Sequence, residues 1–201
     1  MKTVIVKPER CVGCHQCSFQ CAVAHSTSKT TMGAISESIL SKPRIRIYLS
    51  SGKENFPNKC RHCEPAPCEM ACITKAIYRE TKSGIVLINQ DRCINCGMCA
   101  MACPFAVVRY YPYILNREAA HKCDQCIDRQ KEGKVPACVE ACKVGALLFD
   151  EVNKKMDEDT EKLASLIYLG IRQRVSEPDA FSSLVAYKQK LNEISRCSKI
   201  T

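Results

Sequence analysis

A small α+β fold is predicted for this chain, with short β-hairpins and helices around four groups of cysteines and a helical hairpin at the C-terminal end. Three observations predict it. Cysteine fills 17 of 201 positions, while tryptophan is absent and aromatic residues make up only 6%. Sixteen of the cysteines fall into four runs, and each run ends in a Cys-x3-Cys step that matches one helical turn. Short β-type runs border these groups, whereas residues 151–201 carry apolar side chains at helical spacing.

In chain order, Thr3–Val6 reads as the first strand. The first group follows as Cys11-x2-Cys14-x2-Cys17-x3-Cys21. Residues 26–43, rich in Ser and Thr, read as a surface loop, and Arg44–Leu49 as a strand. The second group is Cys60-x2-Cys63-x4-Cys68-x3-Cys72, after which Ile85–Ile88 is again strand-like. The third is Cys93-x2-Cys96-x2-Cys99-x3-Cys103, followed by Pro104 and a strand-like Val107–Tyr110. The fourth is Cys123-x2-Cys126-x11-Cys138-x3-Cys142. Beyond it, Leu163, Leu166, Ile167 and Ile171 form one helical stripe, and Phe181, Leu184, Val185, Leu191 and Ile194 another. Ser176-Glu177-Pro178-Asp179 between them reads as a stop and restart. Cys197, in a polar tail, is left over and reads as a free thiol.

Dense cysteine means either disulfides or metal. The N-terminal residues run into Lys7-Pro8-Glu9-Arg10 without an apolar stretch or small-residue cleavage site, so a cytoplasmic location is expected, at the inner membrane face where a partner is anchored there. The longest mostly apolar stretch, Leu163 to Ile171, is too short for direct membrane insertion. Metal is therefore expected. A [4Fe–4S] core takes one thiolate at each iron, and cysteines three residues apart let one tight loop wrap three corners. A triple Cys-x2-Cys-x2-Cys suits such a core better than a tetrahedral zinc site, although the fourth group alone could pass for a zinc knuckle. The charge points the same way. The formal +9 falls to about +1 once sixteen thiolates and four cores of about +2 are added. A zinc-dependent nucleic-acid-binding module, the rival reading from a different class, thereby loses the basicity that recommended it, and no nucleic-acid partner is expected.

With all four groups in view, residues 3–150 resemble the four-cluster ferredoxin-type subunits of multi-subunit oxidoreductases, such as those of dimethyl sulfoxide reductase and formate hydrogenlyase. The resemblance rests on the sixteen cysteines together with Cys60-Arg-His-Cys63, Pro67-Cys68, Cys103-Pro-Phe105 and Pro136-Ala-Cys138. It implies four [4Fe–4S] clusters on two ferredoxin-like modules, one inserted in the other. The outer module takes residues 1–59 and 104–150, the inserted one 60–103, and 151–201 is a helical extension. It also implies crossed ligation. Cys11, Cys14 and Cys17 would share a cluster with Cys142, and Cys123, Cys126 and Cys138 one with Cys21. Cys60, Cys63 and Cys68 would share one with Cys103, and Cys93, Cys96 and Cys99 one with Cys72. Relatives often have proline after the last cysteine of a group; here Ala22, Ile73 and Lys143 stand there, and only Pro104 keeps the pattern, which puts the local turns in question.

Within the family, Cys21-Ala-Val-Ala-His25-Ser26 most resembles the electron-transfer subunit associated with carbon monoxide dehydrogenase. That implies a relay from this enzyme to an acceptor such as a hydrogenase, a ferredoxin or an NAD(P)/flavin oxidoreductase. The small subunits of tungsten or molybdenum aldehyde and formate oxidoreductases are the alternative. Arg61 and His62, between two ligands, could raise a cluster's potential or be family-typical bystanders. His25 and His121 lie near cysteines but are not expected as ligands. Lys122, Arg129, Lys131 and Lys134 read as a solvated basic face or a docking patch for an acidic partner, and the C-terminal hairpin as core packing or a surface for docking or self-association. There is no glycine-rich phosphate loop and no nucleophile with an evident base. No catalytic site is expected, so substrate chemistry would belong to a partner.

Overall fold

The computed structural model describes residues 2–49, 54–113 and 117–174. The chain divides into two units, residues 1–152 and 153–201.

The first unit is built from one element order used twice. Strand β1 (Lys2–Val6) leads through a 3-10 turn at Pro8–Arg10 into the first cysteine group, which ends on helix α1 (Gln16–Ala24). A short helix α2 (Thr31–Ser36) and the hairpin β2 (Arg46–Leu49) and β3 (Asn55–Asn58) follow. The second group comes next, with α3 (Pro67–Met70) and β4 (Ile77–Arg79). The order then restarts. Strand β5 (Val86–Ile88), a 3-10 turn at Gln90–Arg92, the third group and α4 (Met98–Met101) lead into the hairpin β6 (Arg109–Pro112) and β7 (Glu118–His121). The fourth group follows with α5 (Ile127–Lys131), α6 (Ala137–Glu140) and β8 (Leu147–Glu151).

The two halves are entwined by their pairings. Among the described residues the four ladders are antiparallel: β2 pairs with β3, β4 with β5, β6 with β7, and β1 with β8 across the length of the unit. Thr3 faces Asp150 and Val6 faces Leu147. The predicted strands form, with small shifts at their ends. Residues 26–43 are not all loop, because Thr30 caps α2 by accepting the Gly33 N–H at 3.3 Å.

Two hydrophobic clusters carry the cysteines. One gathers Val4, Ile45 and Leu147 around Cys17, Cys21 and Cys138, with Cys142 at its margin. The other gathers Ala66, Ile77, Val86 and Val108 around Cys68, Cys93 and Cys99, with Cys72 and Cys103 at its margin. The hairpin β6–β7, which follows the third group in sequence, gives Val108, Ala119 and Ala120 to this second cluster.

Helix α7 (Val152–Arg174) extends into the second unit. Lys155 supports it through Glu158 at 2.7 Å and Asp159 at 3.2 Å, one turn on. Its Leu163, Leu166 and Ile167 are exposed. The expected break at 176–179, the second helical stripe and Cys197 lie outside the described residues. No helix of the described residues is long and apolar enough to cross a membrane.

Leu147, 2% exposed at the β1–β8 ladder, should cost about 2–5 kcal/mol when cut to alanine. Leu163→Ala on the exposed face of α7 should stay within about 0.5 kcal/mol. Urea titration followed by the visible absorbance of the metal-loaded protein checks both.

Candidate iron–sulfur cluster sites

Each loop is bent by left-handed residues at matching places. In the first group Gly13 and His15 have φ of 71° and 59°; in the third, Asn95 and Gly97 have 57° and 80°. These alternations turn three cysteines of a run towards one point. Gly13 is also hemmed in, since a Cβ there would meet the Asn55 side chain at 2.6 Å. In the second and fourth groups His62 and Gln125 take the left-handed place, at 51° and 56°, and their N–H groups donate to Cys60 Sγ and Cys123 Sγ, each at 3.4 Å.

The step after the fourth cysteine repeats as well. Lys75, Ala106 and Gly145 are left-handed and donate N–H to the carbonyls of Cys72, Cys103 and Cys142. The turn after Pro104 is thus the same as the turns that lack a proline, because the hydrogen bond three residues on closes it. Cys21 differs, sitting inside the longer helix α1.

The chain brings the fourth cysteine of each run to a different run. Cys11, Cys14, Cys17 and Cys142 line one apolar hollow with Ile47, Pro57 and Leu147. Cys72, Cys93, Cys96 and Cys99 line another with Ile77, Ile88 and Tyr110. Cys138 lies beside Cys123, Cys21 and Cys126, and Cys68 beside Cys60 and Cys103. Cys63 follows His62 in the loop of Cys60. Cys14 and Cys96 are the exposed members of their sets, whereas Cys21, Cys123, Cys126 and Cys138 are all buried.

Without a metal these thiols resist ionisation. Burial pushes Cys17 and Cys68 up to about 11 and Cys123 up to about 12. Cys138 goes well above its usual range through burial and then through its cysteine neighbours. Four such sulfurs can be thiolates together only around a cationic core, and the all-sulfur donor set is the one a [4Fe–4S] core takes. Donors are aimed at these sulfurs: Arg44 N–H at Cys21 Sγ, 3.2 Å, and Ala120 N–H at Cys93 Sγ, 3.4 Å. Tyr110 Oη lies 3.2 Å from Cys99 Sγ. Burial and that sulfur both raise the Tyr110 hydroxyl above its ordinary range, so it keeps its proton and donates. His62 is 4% exposed. Its Nδ1 accepts the Val86 N–H at 3.2 Å, so the ring proton sits on Nε2, for which the described residues offer no acceptor. A sulfur-rich group beside Cys60 and Cys63 would supply one.

Residues 53–152 match the family described as 4Fe-4S dicluster domain. The chain is 37% identical over 153 residues to an iron–sulfur protein of Rhodospirillum rubrum, covering 72% of this chain and 79% of that one. It is 37% identical over 163 residues to an uncharacterized ferredoxin of Methanocaldococcus jannaschii, covering 80% and 89%. To the electron transport protein HydN of Escherichia coli it is 33% identical over 171 residues, covering 79% and 93%. The chain belongs to the ferredoxin-type iron–sulfur electron-transfer proteins. It binds [4Fe–4S] clusters.

The other singled-out residues now have places. His25 donates from Nδ1 to the Cys21 carbonyl at 2.7 Å and from Nε2 to Asp124 Oδ1 at 3.0 Å, so both nitrogens carry protons. Burial opposes that charge, but Asp124, Cys126 and Cys21 outweigh it and raise His25 to about 12. Asp124 also takes Arg44 Nη1 at 2.5 Å. His25, Asp124 and Cys126 bring potential ligand atoms within 4.8 Å of one another, yet a doubly protonated ring cannot bind a metal. His121 is held by Gln90 and packs edge-on against Tyr111. Arg61 stacks on Phe56 and Phe105, 5.8 and 5.6 Å from the ring centres.

The basic run does not form one patch. Lys122 is 5% exposed, and Arg129, Lys131 and Lys134 pair with Glu140, Asp128 and Glu132. Tandem lysines in Lys59-Cys60-Arg-His-Cys63 and Lys122-Cys123-Asp-Gln-Cys126 were the sequence signal of a buried role, and the second was masked by the nearby surface cations.

Tyr110→Phe removes a donor to Cys99. One cluster is expected to become harder to reduce by about 1 kcal/mol, read as a lower midpoint in an EPR-monitored redox titration.

Proposed function

We propose that this chain is the electron-transfer subunit of an oxidoreductase complex, relaying electrons through four [4Fe–4S] clusters and carrying no catalytic site of its own. The observation that supports the reading is that cysteines of different runs come together: Cys142 with Cys11, Cys14 and Cys17, Cys72 with Cys93, Cys96 and Cys99, Cys21 with Cys123 and Cys138, and Cys103 with Cys68. The proposed ligands are Cys11, Cys14, Cys17 and Cys142; Cys21, Cys123, Cys126 and Cys138; Cys60, Cys63, Cys68 and Cys103; and Cys72, Cys93, Cys96 and Cys99. When bound, the clusters supply one-electron carriers.

What the chain's residues do follows from their positions. The aliphatic walls of the two hollows keep water off the buried sulfurs of Cys17, Cys93 and Cys99, and the N–H and O–H donors offset the negative charge that an added electron brings. The sets that include exposed Cys14 and Cys96 are the proposed points of entry and exit, with the buried set around Cys138 between partners and out of solvent. The two entwined hydrophobic clusters support two ferredoxin-like modules, one inserted in the other.

Carbon monoxide dehydrogenase is the proposed donor and a hydrogenase, ferredoxin or NAD(P)/flavin oxidoreductase the proposed acceptor. The support is the run Cys21-Ala-Val-Ala-His25-Ser26, whose His25 makes an ion pair with Asp124 at the buried set. A tungsten or molybdenum oxidoreductase is the alternative donor.

Anaerobically purified protein should contain about sixteen iron and about sixteen acid-labile sulfide per chain; zinc without sulfide would refute the reading. Cys142→Ser should disturb the EPR signature of one cluster alone, and Cys197→Ser none. For the donor, CO added with catalytic amounts of carbon monoxide dehydrogenase should bleach the visible absorbance much faster than CO alone. Equal rates would count against that donor and leave the cluster assignment standing.

A further inference from the structure

The motif Lys-Cys-x-x-Cys occurs twice at equivalent places in the repeated element order, at Lys59–Cys63 and Lys122–Cys126. Both lysines are buried, at 1% and 5% exposure. Lys59 Nζ donates to the Cys60 carbonyl at 3.1 Å, and Lys122 Nζ to the Cys123 carbonyl at 3.4 Å. Lys122 Nζ also donates to the Val86 carbonyl, on the same residue whose N–H is bonded to His62. The equivalent Gln125 reaches from the other motif to Thr3 of β1 at 3.1 Å.

Neither ammonium forms an ion pair with a carboxylate among the described residues. Burial pulls the Lys59 ammonium below its ordinary range, and an unpaired buried charge costs several kcal/mol, so holding the charge requires an anionic partner close by. The groups near Lys59 are Cys123, Cys138 and Cys60, and Lys122 favours ionisation of Cys68. Each lysine thus leaves from one cysteine loop and acts on the set that the other loop serves. Lys59 precedes the Cys60 set and acts on the Cys123–Cys138 set as well; Lys122 precedes Cys123 and acts on the Cys68 set.

We propose that Lys59 and Lys122 are buried counter-charges placed between the two cysteine sets of the second and fourth groups, and that they raise the reduction potentials of the clusters held there. This rests on the four-cluster reading. A set of four thiolates with an oxidised core carries about −2, and one added electron makes it about −3. A fixed ammonium in a medium of low dielectric favours the more negative state. The two clusters so raised take an electron more readily than the pair at Cys14 and Cys96, and they form a common reservoir in the interior of the protein.

The test is an EPR-monitored redox titration of the full holo-protein, with iron and sulfide counted on each sample. The count tests the cluster reading, and the midpoints test the lysines. Lys59→Met and Lys122→Met should each lower at least one midpoint by an amount equal to a tenfold change in the reduced-to-oxidised ratio, about 59 mV for one electron. Lys59→Arg and Lys122→Arg should keep the wild-type midpoints. Lys131→Met removes the same charge from an exposed side chain and should move none by that much. Full iron and sulfide with unmoved midpoints in both methionine variants would overturn the proposal, as would equal shifts from Lys131→Met. If a methionine variant fails to load clusters, loading restored by arginine supports the charge, and failure of arginine as well overturns it in favour of packing.

Discussion

Sulfur charge in a dry interior sets the terms for the rest of this fold. Nine of the sixteen grouped cysteines are buried, and burial, with neighbouring cysteines, holds several of their thiols well above the pH of any cell. A thiolate in such a place needs positive charge or hydrogen-bond donors close to it. The iron core provides most of it. The chain provides the remainder through peptide N–H groups, the Tyr110 hydroxyl and a set of buried cations. Left-handed residues recur in every loop, and at His62 and Gln125 the left-handed residue's own N–H donates to sulfur.

The small aromatic content follows from this demand. Cysteines sit in both hydrophobic clusters, and the fully buried side chains around them are Ala, Val, Ile and Leu, short enough to close over a bulky inorganic core, with Tyr110, Tyr113 and Phe149 at the margins. Strands stay at three to five residues because each has only to hold two loops at a fixed separation. Long-range order comes instead from the β1–β8 ladder, which joins the two ends of the unit.

Much of this was legible in the amino-acid sequence. Cysteine spacing located the loops, and Cys-x3-Cys located α1, α3, α4 and α6. Four strands were visible in β-branched runs. The other four were not, for identifiable reasons. Asn55-Phe-Pro-Asn58 and Glu118-Ala-Ala-His121 have weak strand preference, and they are strands because a hairpin partner lies beside them. Leu147–Glu151 pairs with a strand at the far end of the unit, which no local pattern reveals. Lys122 was read with the surface cations, because lysine is almost never buried. Its burial depends on a neighbouring anionic set that only the folded chain assembles.

The repeated element order explains why the site cannot be divided along the sequence. Each half supplies two loops, yet its strands pair partly with the other half, and the last cysteine of a run lies beside cysteines of another. His62 and Lys122 meet on one peptide, the N–H and carbonyl of Val86, although they belong to different loops and different halves. Gln125 makes the corresponding link to Thr3. Such cross-links fix the distance between neighbouring sets more tightly than either loop could alone. An electron carrier needs that spacing to be constant, because transfer falls steeply with separation, whereas it has no need of a cleft or a moving lid. The structure follows that demand: short stiff elements and reciprocal hydrogen bonds, with charge placed in the interior where it acts on sulfur.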